Sequence, residues 1–172
     1  MPFGSVGTMF SQMEEGTQIE KVIILKGAEN RGKTKTLQIL VNLLIGNGAK
    51  IIHTNGYYPD NRRDWFVILD IAGFGKVGII TYGDKGSEAE VQKALNECLK
   101  HKCLAVIGAS HTQYYKTPPT VYKILWDFGH NQKAKTVETT TIIKWDGWGL
   151  HIDETHLNTI CAENLINLLF KL

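Results

Sequence analysis

The sequence predicts an α/β domain: three layers around a mostly parallel central sheet, with one antiparallel hairpin excursion. Three observations predict it. Short β-branched runs, such as residues 22–25 and 104–107, alternate with longer stretches of helical periodicity, the pattern of strand–helix–strand units. Those runs are apolar throughout, as strands covered on both faces must be. Two further β-rich runs, 65–71 and 76–82, are separated only by Ala72-Gly73-Phe74-Gly75, too short a link for a parallel crossover, so they must form a hairpin.

Each element has its local reason. Residues 1–18 contain Gly, Ser and Met without periodicity and read as a flexible leader, so that one domain is expected over 19–172. Val22, Ile23, Ile24 and Leu25 make a buried strand between lysines. Residues 34–47 place Leu37, Leu40, Leu43 and Leu44 at helical spacing, and Gly46 and Gly48 end that helix. A strand follows at 50–53, then a polar loop at 54–64 of functional length. After the hairpin, Ser87 is placed to cap a helix reaching about Lys100, with Glu88 and Glu90 suited to the dipole of its first turn. A buried strand at 104–108, a helix at 121–128 opened by Pro119, a β-rich run at 136–145 and a closing amphipathic helix at 156–172 complete the order.

Composition narrows the function classes. A chain of 172 residues with 43% hydrophobic content can bury one good core. A net charge of +2, with the arginines confined to positions 31, 62 and 63, offers no clustered basic face, so nucleic acid is not indicated. No apolar stretch approaches the roughly 20 residues that span a bilayer, and no secretory signal is evident. The expectation is a cytoplasmic, reducing location in which Cys98, Cys103 and Cys161 are free thiols. Cys98, His101 and Cys103 lack a fourth ligand at a suggestive spacing, so buried thiols are expected there rather than a metal. His151, Asp153 and His156 are not a standard ligand set either, and Asp153 or Thr155 reads as a helix cap.

One segment carries chemistry. Gly27-Ala28-Glu29-Asn30-Arg31-Gly32-Lys33-Thr34 fits G-x-x-x-x-G-K-[ST], with a strand before it and a helix after it. Gly27 allows a sharp turn off the strand, and Gly32 lets backbone approach a phosphate closely. Successive amides and the helix N-terminus form an anion-binding concavity. Lys33 adds a point charge for the β- and γ-phosphates, and the Thr34 hydroxyl is placed to ligate Mg²⁺. The binding set is therefore Gly27, Ala28, Glu29, Asn30, Arg31, Gly32, Lys33 and Thr34, with Lys35 in the following turn.

This segment resembles the Walker A motif of the P-loop NTPase superfamily, sharply over residues 21–47 and elsewhere only as an α/β pattern. The resemblance implies a three-layer P-loop NTPase-like domain that binds ATP or GTP with Mg²⁺, with phosphate contacts at Gly27, Gly32, Lys33 and Thr34. It also implies an acid at the end of a neighbouring apolar strand, holding Mg²⁺ through water. Asp70 and Asp84 are the candidates. The hairpin decides between them, because only one of its runs is parallel to the first strand. The run ending before Asp84 is followed by a helix and the strand around Val106, a parallel unit, so Asp84 belongs at the carboxyl edge with the phosphates. Asp70 belongs at the far edge, where an aspartate suits a hairpin turn.

The same edge receives Gly108-Ala109-Ser110-His111-Thr112. Imidazole is the side chain suited to proton transfer at neutral pH, so His111 is read as a proton acceptor. Lys33, Asp84 and His111 form the catalytic expectation, and Thr34 with Asp84 the metal expectation. The loops at 54–64 (Tyr57, Tyr58, Asp60, Arg62, Arg63) and 113–120 (Tyr114, Tyr115, Lys116) would recognise an acceptor.

The functional expectation is a small Mg²⁺-dependent, ATP-binding phosphotransferase of kinase type, or an ATPase, acting on a small-molecule or protein acceptor. The absence of N-K-x-D favours ATP over GTP, which stays open. The alternative is a nucleotide-dependent switch or interaction module without a small-molecule acceptor, using exposed aromatics among Tyr57, Tyr58, Tyr114, Tyr115, Trp145 and Trp148.

Overall fold

The computed structural model describes residues 18–27, 32–60, 63–111, 120–141 and 154–171. The expected leader at 1–18, except for its last residue, and the aromatic loop at 113–119 lie outside them, as do Trp145, Trp148, His151 and Asp153.

The order of elements is β1 (Lys21–Lys26), α1 (Lys33–Gly46), β2 (Lys50–Thr54), β3 (Phe66–Ile71), β4 (Gly75–Ile80), α2 (Glu88–Lys100), β5 (Ala105–Ser110), α3 (Val121–Asn131), β6 (Lys135–Thr140) and α4 (Glu154–Lys171). The six strands form one sheet in the order β2-β3-β4-β5-β1-β6. β4, β5, β1 and β6 pair in parallel, whereas β3 is antiparallel to both of its neighbours. The fold is thus α/β with a mixed, mostly parallel sheet, and the hairpin read from the four-residue link is β3–β4.

Alternate residues of the buried strands feed opposite faces, as the two-residue period of a strand requires. Ile23 and Leu25 pack with Leu37, Leu40, Val41 and Leu44 of α1 and with Ala162, Leu165 and Leu169 of α4. Val22 and Ile24 face the other way, against Val91, Leu95 and Cys98 of α2 and Val121 and Leu125 of α3. Helices therefore cover both faces, which is why the central strands carry no polar alternation.

Several termini differ in detail from the sequence reading. Ser87 occupies the N-cap of α2, but its side chain makes no capping hydrogen bond, and the first turn relies on Glu88 and Glu90. Thr120 caps α3, its Oγ1 accepting from the Lys123 amide at 3.3 Å. Thr155 lies inside α4 rather than capping it. At the other end of α4, the half-lipophilic stem of Lys21 brings its Nζ to the carbonyls of Leu168 and Leu169, 3.1 and 2.7 Å away, satisfying groups the helix leaves open. Burial and the nearby Lys135 push the Lys21 ammonium pKa down.

The cysteines are free and buried. The Cys98 thiol is held well above its ordinary pKa by its hydrogen bond with Cys103 and by burial, as unreactive core thiols are. Among the described residues, no helix is long and apolar enough to cross a membrane.

Candidate functional site

The carboxyl ends of four strands continue as parallel backbone past their last residues and hold one another. The Gly27 amide donates to the Ser110 carbonyl at 3.1 Å, His111 donates to Gly83 at 3.1 Å, and Thr141 donates to Lys26 at 2.9 Å. The segments following β1, β4, β5 and β6 therefore lie side by side along one edge.

Close approach at this edge demands two glycines. A Cβ on Gly83 would sit 3.0 Å from the Ala109 carbonyl carbon, so no side chain fits between β4 and β5 there. A Cβ on Gly27 would lie 2.6 Å from Thr141 Oγ1 and 3.2 Å from Lys33 Cγ. Gly27 is thus required by packing against Thr141, and not by a turn needing positive φ. Gly32 does adopt the left-handed region, with φ 83°, at the N-cap of α1.

Of the residues read as phosphate-binding, Ala28, Glu29, Asn30 and Arg31 lie outside the described residues. Gly27, Gly32, Lys33 and Thr34 come together where β1 hands over to α1. Lys33 is buried, and its Nζ donates to the Gly27 carbonyl at 2.7 Å, across the mouth of the bend. The N-terminus of α1 has no side-chain cap and no acid in its first turn. A helix start of this kind presents its positive end and open amides to an anion. Lys35 is exposed and lies one residue beyond Thr34.

The Thr34 hydroxyl donates to Asp64 Oδ1 at 3.4 Å. Asp64 precedes β3, and because β3 is antiparallel, the start of that strand lies at the carboxyl edge. Thr81, just past β4, is buried. It accepts from the Trp65 amide at 2.7 Å and directs its hydroxyl at Asp64 Oδ1, 3.1 Å away, and at the Trp65 carbonyl, also 3.1 Å away.

Burial raises the Asp64 pKa above its ordinary 3.8, and the charge of Asp84 adds to the rise; the Thr81 and Thr34 hydroxyls and Lys33 act against it. Lys33, Thr34, Thr81 and Asp84 thereby all act on Asp64. Asp84 itself is exposed, and His111 is half-buried beside Gly83. Asp70 stands opposite Lys50 and Lys76 in the strand register at the other end of β3, away from this group.

The loop between β2 and β3 is fastened over the same edge. Asn55 Oδ1 accepts from the amides of Tyr57 and Phe66, both at 3.3 Å, and its Nδ2 donates to the Tyr82 hydroxyl at 2.6 Å. Tyr58 meets Trp65 edge-on, with ring centroids 4.9 Å apart, and Gln38 of α1 donates to its hydroxyl at 3.5 Å. The Arg63 guanidinium lies 5.3 Å from the Tyr57 ring centroid. Burial raises the Tyr82 pKa, with the charge of Glu90 next in weight.

Sequence reasoning missed Asp64, Thr81 and Thr141. Asp64 was within reach of the argument that placed Asp70: if one end of the reversed strand lies at the far edge, its other end lies at the near one.

No family model matches the chain, and no curated protein does. A solved structure described as the crystal structure of APE1195 aligns with a TM-score of 0.40 at 10% identity, over 74% of this chain and 62% of that one. This chain therefore matches less than two thirds of that structure's length. Similarity at this level carries no inference.

Proposed function

We propose that this chain is a P-loop protein of the three-layer kind that binds ATP with Mg²⁺ and transfers or hydrolyses its terminal phosphate. GTP is the second nucleotide to test. The observation that carries the reading is the convergence of buried Lys33, the uncapped start of α1 and the Thr34–Asp64 hydrogen bond at one sheet edge.

The donor set suits its ligands. An ammonium, a helix N-terminus and a glycine-flanked bend are complementary to a polyphosphate. A hydroxyl beside a half-buried carboxylate, with a second carboxylate close by, is a set of hard oxygen donors of the kind Mg²⁺ takes while keeping several waters. Thr34 would hold the ion, with Asp64 and Asp84 acting through its waters. When bound, Mg²⁺ would neutralise charge on the phosphate chain.

The chain's own groups divide the remaining work. Lys33 leaves the Gly27 carbonyl to meet phosphate oxygens, a charge-assisted contact stronger than the neutral one it replaces. Asp64 orients the Thr34 hydroxyl. His111, on the strand end beside Gly83, accepts a proton from the attacking hydroxyl or water. Tyr57, Tyr58 and Arg63 border the edge where an acceptor would approach.

The test is titration calorimetry of ATP and GTP with and without Mg²⁺, followed by ADP-release assays with and without candidate acceptors. Mg²⁺-dependent ATP binding supports the reading, and its absence rejects it. Release only with an acceptor identifies a phosphotransferase, and slow release alone an ATPase. Binding without release identifies the alternative, a nucleotide-dependent switch or interaction module.

A further inference from the structure

A second cluster of chemistry-bearing side chains lies between the edge strand β2 and the C-terminal turn of α2. Among the described residues, His53, Glu97 and His101 form the group whose possible ligand atoms all lie within 4.8 Å of one another. His53 Nε2 is 3.7 Å and His101 Nδ1 is 3.5 Å from Glu97 Oε2, and the two imidazole centroids are 4.9 Å apart. For donors about 2.0–2.1 Å from a tetrahedral ion, neighbouring donors stand roughly 3.4 Å apart, close to the spacing of His53 Nε2 and Glu97 Oε2.

The backbone aims these groups deliberately. β2 and β3 pair at Ile51↔Leu69 and next at His53↔Ile68, so β2 carries one extra residue at that point. Leu69 belongs to the face covered by α1 and α4, Ile68 to the face covered by α2 and α3. In unbroken register, His53 would share the face of Leu69. The bulge turns it to the face of Ile68, toward α2, and re-aiming one side chain is a recurrent use of such bulges.

On the helix side, Glu97 and His101 are four residues apart and therefore neighbours. His101 is the C-cap, followed by Lys102 at φ 59°. The Cys103 amide bonds to the Cys98 carbonyl at 3.0 Å and the Lys102 amide to Leu99 at 3.1 Å, which is a Schellman closure. That closure holds His101 firmly. Its Nδ1 also lies 2.9 Å from the Glu97 carbonyl. Donation there places the remaining lone pair on Nε2, the tautomer control typical of ligating histidines.

We propose that His53, Glu97 and His101 bind a divalent transition-metal ion of the zinc class. Two imidazoles and a carboxylate suit zinc and its neighbours rather than Mg²⁺ or Ca²⁺, and a water completes four-coordination. The site is separate from the carboxyl-edge cluster. At 1.5 Å per residue, Glu97 lies about 14 Å along α2 from Glu88, at the end remote from Asp84. The ion ties the outermost strand of the sheet to α2, and the inference does not rest on the nucleotide reading.

The test uses the full chain, with zinc affinity measured against a chromophoric chelator and Co²⁺ substitution followed by its visible bands. We expect one tight Zn²⁺ equivalent, a four-coordinate Co²⁺ spectrum, and a zinc-dependent rise in Tm. His53→Ala and His101→Asn should each weaken Zn²⁺ binding by about 100-fold or more and remove the Tm rise, with Glu97→Gln intermediate. Circular dichroism of the metal-free variants controls for folding, and His53→Gln keeps the side-chain volume if the alanine variant does not fold. No uptake at micromolar free zinc, or undiminished affinity in all of these variants, overturns the site. The second outcome would assign the ion to the other histidines.

Discussion

The Thr34 hydroxyl reaches across 30 residues of sequence to donate to Asp64 Oδ1 at 3.4 Å. One partner opens α1, and the other precedes the one reversed strand of the sheet. Because Thr81 holds the same carboxylate from the end of β4, Asp64 is fixed by two hydroxyls from two different elements. An acid held that way is positioned before any ligand arrives, which is what a metal-orienting group requires.

The first prediction follows from that placement. Asp64→Asn should lower Mg²⁺-dependent turnover more than Asp84→Asn, since Asp64 is half-buried and bonded to Thr34 while Asp84 is exposed. Asp84→Asn should in turn exceed Asp70→Asn, whose site lies at the far end of β3. Steady-state rates across a Mg²⁺ titration rank the three, and a large effect at Asp70 would overturn the assignment of the edge.

A second prediction separates stability from activity at the same residue. Asp64 has a raised pKa in the folded chain, chiefly through burial. The folded state therefore holds the proton more tightly than the unfolded one. Stability must fall as pH rises from the ordinary 3.8 through the folded pKa, and the deficit persists above it. Asp64→Asn should accordingly raise Tm at neutral pH in the absence of Mg²⁺, with the gain shrinking as the pH falls towards 3.8. Thermal melts of both proteins between acidic and neutral pH check this. An equal offset at every pH would remove the electrostatic cause.

Why was this carboxylate missed while the bend was not? The segment 27–34 is local: eight consecutive residues carry glycines, ammonium and hydroxyl in a fixed order. The succession of strands and helices and the hairpin were likewise legible from apolar runs and a four-residue link, whereas the order of strands across the sheet was only narrowed to a few choices. Asp64 and Thr81 come together only through the pairing of β3 with β4, and Thr141 reaches Gly27 only through the pairing of β1 with β6. The bulge that turns His53 toward α2 leaves no mark in composition at all.

The third prediction concerns Lys33. Its Nζ donates to the Gly27 carbonyl and its charge acts on Asp64, so removing the ammonium costs that hydrogen bond and some compensation of the Asp64 carboxylate. Lys33→Ala should therefore fold, with a modest loss of Tm. ATP affinity should drop by about 100-fold, the scale of a lost charge-assisted hydrogen bond of roughly 1.5–3 kcal/mol. Calorimetric titration of the variant checks it, and unchanged affinity would reject phosphate binding at this bend.

The last prediction tests the packing of the bend itself. An alanine methyl at position 27 would meet Thr141 Oγ1 at 2.6 Å and Cγ2 at 3.2 Å. Thr141 is buried, and its backbone is held to Lys26, so it has little room to retreat. Gly27→Ala should destabilise the chain by about 1–3 kcal/mol, the range of an overpacked core contact. Thr141→Ala deletes the two Thr141 atoms that crowd the new methyl, leaving only the flexible Lys33 stem at 3.2 Å, and alone leaves a small void. The two changes are in contact, so their effects should not add. The double variant should recover most of the stability lost in Gly27→Ala, measured by denaturant melts of all four proteins. Simple additivity would mean that Gly27 is needed for backbone freedom, as the motif alone implies, and not for the approach of β6 to the bend.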